Sequence, residues 1–345
     1  MTFHADAYVP ELDPRTDPPA TGARPTRDDE CLVRLAPFHG GGVREVRVRY
    51  ALYGAAGAPV VAVQGGISAT RFAASESGHD GWWDALVGPD RAIDTRRFRV
   101  LSIEWLDHDD LGGGDGFRAV GSEDQADAIA ALIDALGIRR LHAFVGASYG
   151  AMVGIAFAAR HPAQLRRLVA IAGAHRAHPL AVAVRNLQRE IVRLAARHGD
   201  TDAGLDLARR LAMTTYRGER EFAERCNAAP TFRDGRYRFA EEDWLEAAGA
   251  SFVRRFGAER FLALSESIDL HAIRPEDVDV PATLIGIASD RLVPLADLCE
   301  LQRRAGAPAA LNVIDSRYGH DAFLKETGQI APLVAEALDA RGASR

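Results

Sequence analysis

Two hydrophobic periodicities divide the chain. VREVRVRYALYG, at 43 to 54, alternates valine or tyrosine with charge, and LVRLAP at 32 to 37 precedes it as another short β-like run. Both read as half-buried strands in an antiparallel arrangement. From Pro59 onward the apolar runs become nearly continuous: VVAVQ, RFRVLSIEW, LHAFVGAS, LVAIAG, PATLIGIAS and ALNVIDS. Runs of that kind belong to strands covered on both faces. Helical patterns separate most of them, the clearest being EDQADAIAALIDALGI at 123 to 138, with Ser122 as the predicted N-cap and Gly137 just past the end. Strand, helix, strand repeated in this way predicts an α/β fold around a mostly parallel, eight-stranded sheet with right-handed crossovers.

Two segments break the rhythm. Residues 1–30 carry Pro10, Pro14, Pro18, Pro19 and Pro25 among charged and small residues, too little apolar surface to offset ordering, and are predicted to be a flexible arm. Between LVAIAG and PATLIGIAS lie about a hundred residues of mostly helical pattern. A gap of that length is seldom structureless in a compact domain, so a helical cap over the sheet is expected. The organisation is then an arm at 1–30, an α/β core at 31–174 and 279–345, and a helical lid insertion at 175–278.

Composition narrows the function without deciding it. A chain of 345 residues, 47% hydrophobic, can bury one large elaborated core. The net charge of −6, with Lys and Arg spread along the chain, offers no basic patch for a nucleic-acid partner, so a small molecule is the expected one. Cys31, Cys226 and Cys299 are far apart and form no CxxC pair, which speaks against a disulfide framework or zinc knuckle and for a reducing cytoplasm. There is no basic-then-apolar leader, and no apolar stretch near the ~20 residues that span a bilayer, so neither export nor membrane attachment is expected.

The chemistry concentrates at Gly146-Ala147-Ser148-Tyr149-Gly150, between an apolar strand-like run and AMVGIAFAAR, which reads as a helix. A serine hydroxyl attacks well when presented on a sharp strand-to-helix turn, and flanking glycines remove the Cβ atoms that would clash there. The backbone N–H of Tyr149 then falls at a helix start, where a developing oxyanion is stabilised. The partners of such a serine follow in the order acid, then histidine. Asp290 follows PATLIGIAS in Ser289-Asp290-Arg291, and His320 follows ALNVIDS in Gly319-His320-Asp321. Ser148, Asp290 and His320 are the expected catalytic residues of an α/β-hydrolase fold, with acyl-transfer chemistry that requires no metal. The second oxyanion donor is expected from Gln64-Gly65-Gly66-Ile67-Ser68, with Gly66 favoured and Gly65 or Ile67 as alternatives.

Other clusters are read more plainly. His108-Asp109-Asp110 is expected to be a solvated loop, because adjacent residues seldom converge on one ion. Gly112-Gly113-Gly114-Asp115-Gly116 lacks the Lys-Ser/Thr ending of a phosphate-binding loop and is read as flexible. His175 and His178 stand where the cap begins and are read as structural.

From about residue 45 to the end, the chain resembles the homoserine O-acyltransferases of methionine biosynthesis. Besides the triad, the resemblance runs through Gly81-Trp82-Trp83-Asp84, Gly88-Pro89, Ala92-Ile93-Asp94-Thr95, Leu207-Ala208-Arg209-Arg210, Thr215-Tyr216-Arg217 and Gly319-His320-Asp321-Ala322-Phe323-Leu324. It implies that Arg209, Tyr216 and Asp321 hold the amino-acid substrate. A guanidinium can grip its carboxylate bidentately, and a carboxylate beside the histidine can accept its ammonium. It also implies an acyl-CoA co-substrate, no bound cofactor, L-homoserine as acceptor and a homodimer. The chain departs from the family pattern in the oxyanion loop, in the elbow, where Gly-Ala-Ser-Tyr-Gly-Ala replaces Gly-Asn-Ser-Met-Gly-Gly, and at WLDHDDLGGGDGF. These departures resemble members that use succinyl-CoA, with acetyl-CoA as the alternative donor. A succinyl tail would need a cation, for which Arg71, Arg176 and Arg185 are candidates by position. Serine as acceptor, an esterase or thioesterase with the same triad, and a non-catalytic binding module are the remaining alternatives.

Overall fold

Val61 and Val63 point to one face of the central sheet, Val60 and Ala62 to the other, and all four are buried. Two-sided burial is what the continuous apolar runs require. The computed structural model describes residues 25–75, 79–111 and 119–340. Eight strands form the sheet: β1 (Pro25–Leu35), β2 (Arg44–Tyr53), β3 (Val60–Gln64), β4 (Arg99–Ile103), β5 (Ala143–Ala147), β6 (Leu168–Ile171), β7 (Ala282–Ile287) and β8 (Ala309–Ile314). Their order is β1-β2-β4-β3-β5-β6-β7-β8. β1 with β2 and β2 with β4 are antiparallel, and every pair from β4 through β3 to β8 is parallel.

Helices cover both faces. α1 (Ser122–Ala135) and α2 (Tyr149–Arg160) bury Ile129, Leu132, Ile133, Val153, Ile155 and Phe157 against one side. Ile330, Val334 and Leu338 lie against the other, together with Trp83 and Phe323. Each fully buried aliphatic or aromatic side chain of this kind contributes about 1.5–3 kcal/mol. Between β6 and β7 the described chain runs through α3 (Pro179–Arg197), α4 (Thr201–Tyr216), α5 (Glu219–Arg225), α6 (Ala240–Val253) and α7 (Ala258–Leu270). A small hairpin, Thr231–Arg233 with Arg236–Arg238, interrupts them. After β7 come α8 (Leu295–Arg304) and, past β8, α9 (Ala322–Lys325) and α10 (Thr327–Asp339).

Three local expectations are corrected. Residues 25–30 are strand, not arm, because they pair along β2 from Arg27 opposite Leu52 to Glu30 opposite Arg49. Backbone hydrogen bonds order this edge although Asp28, Asp29 and Glu30 are exposed, and charge on an edge strand deters pairing with other chains. The remainder of the expected arm, 1–24, lies outside the described residues, as does the Gly112-to-Gly116 run. Ser122 is the first helical residue instead of the cap; Gly121 is the N-cap, and Asp124 Oδ2 accepts from its N–H at 2.6 Å. β8 is covered only partly, with Val313 exposed, because it is the far edge of the sheet.

Candidate active site

The parallel strands end together, and the turns that follow three of them bring distant residues into one place. At the end of β5, Ser148 adopts φ 55°, ψ −119°, the strained backbone of a sharp strand-to-helix turn. The glycines around it are required by contact: a Cβ on Gly146 would lie 2.1 Å from the Gly150 carbonyl oxygen, and one on Gly150 would lie 2.2 Å from that of Gln64. Ser148 N–H donates to Ile171 O of β6 at 2.8 Å, holding the turn against the neighbouring strand. Asp290 stands on the turn after β7, and His320 on the turn after β8.

These three side chains form one hydrogen-bonded relay. Ser148 Oγ is 2.8 Å from His320 Nε2, and His320 Nδ1 is 2.6 Å from Asp290 Oδ2. Asp290 Oδ1 accepts from the backbone N–H groups of Leu292 at 2.8 Å and Val293 at 3.0 Å, so the carboxylate is fixed at both oxygens. Burial works against a charged imidazole at His320, but the charge of Asp290 and its hydrogen bond outweigh it, and the pKa stands above its ordinary value. The arrangement can therefore remove a proton from Ser148 and stabilise the imidazolium that results.

Tyr149 N–H opens α2, where no preceding turn uses it. Opposite, the two peptides on either side of Gly66 are held by their carbonyls. Gly65 O accepts from Gly150 N–H at 2.8 Å, and Gly66 O accepts from Trp105 Nε1 at 2.9 Å and Ala69 N–H at 3.0 Å. Gln64, which ends β3, is buried and accepts from Ser102 Oγ and Ile103 N–H through Oε1 at 3.0 and 2.9 Å.

A narrow cavity opens at the relay, lined by Ser148, Tyr149 and His320 from the core and by His178, Arg185 and Tyr216 from the segment between β6 and β7. Met152, Ile268, Leu292 and Val293 supply its apolar wall. Of the three residues expected to hold an amino acid, Tyr216 lines the cavity, with its ring 5.9 Å from that of His320. Burial raises its phenol pKa. Arg209 stands behind it, its guanidinium stacked 5.3 Å from the Tyr216 ring and 4.8 Å from that of Phe252. Asp321 is buried beside His320, and its Oδ2 lies 2.9 Å from Nε of Arg217, the residue that caps the C-terminus of α4. Arg217 also pairs with Glu221 at 3.0 Å.

The three candidate cations for an acyl tail separate cleanly. Arg71 is engaged by Asp28 and Glu104, and Arg176 by Asp297 and Glu300. Arg185 alone of the three lines the cavity. Its Nε donates to Asp269 Oδ1 at 2.5 Å, while its Nη2 is buried without a hydrogen-bond partner. His178, read from sequence as structural, also lines the cavity with a buried, unpartnered Nδ1. His175 is the buried neighbour that stays outside, its Nε2 3.9 Å from Glu300. His178, the N-cap of α3, and Arg185, seven residues further along that helix, reach the same cavity. In the Asp107-to-Asp110 loop, Asp107 Oδ1 accepts from Asp109 N–H at 3.1 Å, and Asp107 Oδ2 binds Arg260 at 2.7 Å. Among the described residues no group of three His, Cys, Asp or Glu is placed to hold a metal ion.

A profile of the alpha/beta hydrolase fold family matches residues 59–327. The chain is 48% identical to a homoserine O-succinyltransferase of Xanthomonas campestris pv. campestris, over 98% of this chain and 89% of that one. It is 30% identical to a serine O-succinyltransferase of Xylella fastidiosa strain M12, over 88% and 95%. Among solved structures, a homoserine O-acetyltransferase from Bacillus anthracis superposes with a TM-score of 0.82 at 20% identity, covering 92% of this chain and 99% of that one, a likeness of fold. With the fold, the matched span and these relatives together, the chain belongs to the homoserine O-acyltransferase family of α/β-hydrolase-fold proteins.

Proposed function

We propose that the protein transfers the succinyl group of succinyl-CoA to the side-chain hydroxyl of L-homoserine. Ser148 is the nucleophile, His320 the general base and acid, and Asp290 the group that orients the imidazole. His320 takes the Ser148 proton as Oγ attacks the thioester carbonyl. The oxyanion is met by the N–H groups of Tyr149 and Gly66. The C–S bond then breaks, coenzyme A departs with the proton from His320, and a succinyl ester remains on Ser148. Homoserine's hydroxyl gives its proton to His320 and attacks that ester, and the proton returns to Ser148 as O-succinylhomoserine leaves. Acyl-CoA is a co-substrate here, and no bound cofactor enters the reaction.

The observation that carries the donor is Arg185: a buried guanidinium lining the cavity, with one nitrogen unpartnered. A neutral acetyl group gives that nitrogen nothing to bind, whereas a succinyl carboxylate does, and a hydrogen bond to a charged group is worth about 1.5–3 kcal/mol. The family resemblance assigns Arg209, Tyr216 and Asp321 to the acceptor: Tyr216 lines the cavity, Arg209 stacks on its ring, and Asp321, beside His320, would exchange its Arg217 partner for the ammonium, with the α3 to α7 segment as the lid that keeps water from the acyl-enzyme. The 48% relative's name supports homoserine as acceptor, and serine is the second reading, favoured by the 30% relative. Steady-state assays of each pairing of succinyl-CoA or acetyl-CoA with homoserine or serine test this. Succinyl-CoA with homoserine is expected to be fastest, with slow coenzyme A release when no acceptor is present. A faster rate with acetyl-CoA or with serine overturns the corresponding assignment, and equal thiol release without acceptor makes the protein a thioesterase.

The protein is further proposed to be a homodimer. Leu180, Val184, Leu187, Ile191 and Leu194 recur along α3 at the four-three spacing of a helix-pairing seam, and the three leucines are exposed. Sedimentation velocity reads this directly, and a monomer at micromolar concentration removes the proposal. Cys31, Cys226 and Cys299 are free thiols, which supports a cytoplasmic setting. No helix among the described residues is long and apolar enough to cross a membrane.

A further inference from the structure

We infer that Trp105 is a positioning residue for the oxyanion site, an inference that rests on the acyl-transfer reading of Ser148. Trp105 follows β4 and opens WLDHDDLGGGDGF, a segment where the chain departs from its family's pattern. It is 1% exposed. Its Nε1 donates to the Gly66 carbonyl at 2.9 Å, and its ring meets that of Tyr149 edge-on, with centroids 4.8 Å apart. One indole therefore touches both residues assigned to the oxyanion.

The geometry has a direct consequence for the loop. In a trans peptide the C=O and N–H point in opposite directions. Gly150 holds the carbonyl of the Gly65–Gly66 peptide, and Trp105 holds that of the Gly66–Ile67 peptide, so both N–H groups that could serve as donors are aimed by bonds on their far sides. Gly66 itself has no Cβ, and open space stands where one would be, so side-chain packing does not fix its torsions. The Trp105 bond supplies that restraint together with Ala69 N–H, which donates to the same Gly66 carbonyl at 3.0 Å from within the loop; Trp105 is the partner that ties the peptide to the sheet side.

Trp105 is anchored in turn. Its carbonyl accepts from Arg260 Nη2 at 2.9 Å, and the Tyr149 hydroxyl and Ser267 Oγ are 2.5 Å apart. Arg260 and Ser267 both belong to α7, so the last helix of the inserted segment braces the two residues behind the oxyanion site. The next residue, Leu106, exchanges two backbone bonds with the buried Gln125 amide at 3.0 and 2.7 Å, which keeps the indole from swinging away.

The test separates the N–H from the ring. Trp105→Phe keeps an aromatic face against Tyr149 and removes the donor. Replacing the indole at 105 with its benzothiophene analogue removes the donor with almost no change of shape. Both are expected to lower kcat about tenfold or more, with KM for the acyl donor within twofold. Affinity for a boronic acid that forms a tetrahedral adduct on Ser148 should fall by the same factor, while affinity for coenzyme A and the melting temperature stay near wild type. Wild-type kcat in the benzothiophene protein, with Ser148→Ala inactive, overturns the role of Trp105 and leaves the mechanism standing. An equal loss of boronate and coenzyme A affinity assigns Trp105 to packing alone and also overturns it. Undiminished transfer by Ser148→Ala would instead remove the acyl-enzyme reading on which the inference rests.

Discussion

The two sides of the cavity handle their polar groups differently. On the core side, the relay is closed: the imidazole is bonded at both nitrogens, and both oxygens of Asp290 are occupied. On the inserted side, Arg185 Nη2 and His178 Nδ1 are buried with nothing to bind. An unmet buried polar group costs about 1–3 kcal/mol, a cost that a matching ligand relieves. On the proposed mechanism, the core side would hold chemistry that is assembled in advance, and the inserted side recognition that is completed by substrate. Preorganised groups need no rearrangement when charge develops, whereas unsatisfied ones reward the ligand that matches them.

Breaking the closed side should have the largest effect. Asp290→Asn keeps the shape of the relay but favours the wrong imidazole tautomer and withdraws support from the imidazolium. A loss of kcat of about 10³- to 10⁴-fold is expected, with KM for both substrates little changed. Pre-steady-state acylation by succinyl-CoA is the direct readout. A loss under tenfold would mean that the proton leaves Ser148 by another route.

The open side should answer more gently and more selectively. Arg185→Met removes the unpartnered nitrogen while keeping an unbranched side chain in the cavity wall that Ile268 and Tyr216 also line. The ratio of kcat/KM for succinyl-CoA over acetyl-CoA should fall by about 10- to 100-fold, the worth of a charged hydrogen bond. The loss should sit on the succinyl side, with acetyl-CoA turnover within a fewfold of wild type. Asp269, left facing Arg189 alone, keeps a partner at 2.6 Å, so α3 should remain in place. A uniform drop for both donors would move Arg185 from recognition to structure.

This division also sets what could be read from the sequence. The closed side is built at strand ends, where chain order and strand count fix position, so Ser148, Asp290 and His320 were identifiable from apolar runs and a glycine-flanked turn. The open side depends on how five helices cross, and helix patterns do not encode crossing. Arg185 could be named only as one of three cations, and His178 was assigned to structure because a histidine at a helix start has no local mark of function. Trp105 escaped because its role depends on one bond to a loop 39 residues away. Residues 25–30 were mistaken for arm because a backbone ladder orders charged residues without apolar burial.

The smallest effect expected is on the pH profile, and it tests the closed side without any substitution. His320 acts first as a base, so it must be neutral in the free enzyme. Burial alone would lower its pKa and leave it neutral down to acid pH. The charge of Asp290 and its hydrogen bond reverse that balance and hold the pKa above the ordinary value of 6.5. The acid limb of kcat/KM for succinyl-CoA should therefore have its midpoint above 6.5, and activity should rise through it as pH increases. The succinyl carboxylate is already ionised across this range and contributes no limb of its own. Stability runs the opposite way: a raised histidine pKa favours the fold below the unfolded value and loses that contribution as pH rises through the folded one. Rate and stability thus diverge across the same window, and the relay is at its most active where the Asp290–His320 pair contributes least to holding the fold. A midpoint below 6.5 would show that burial, not Asp290, dominates at His320, and the carboxylate would then serve mainly to fix the tautomer.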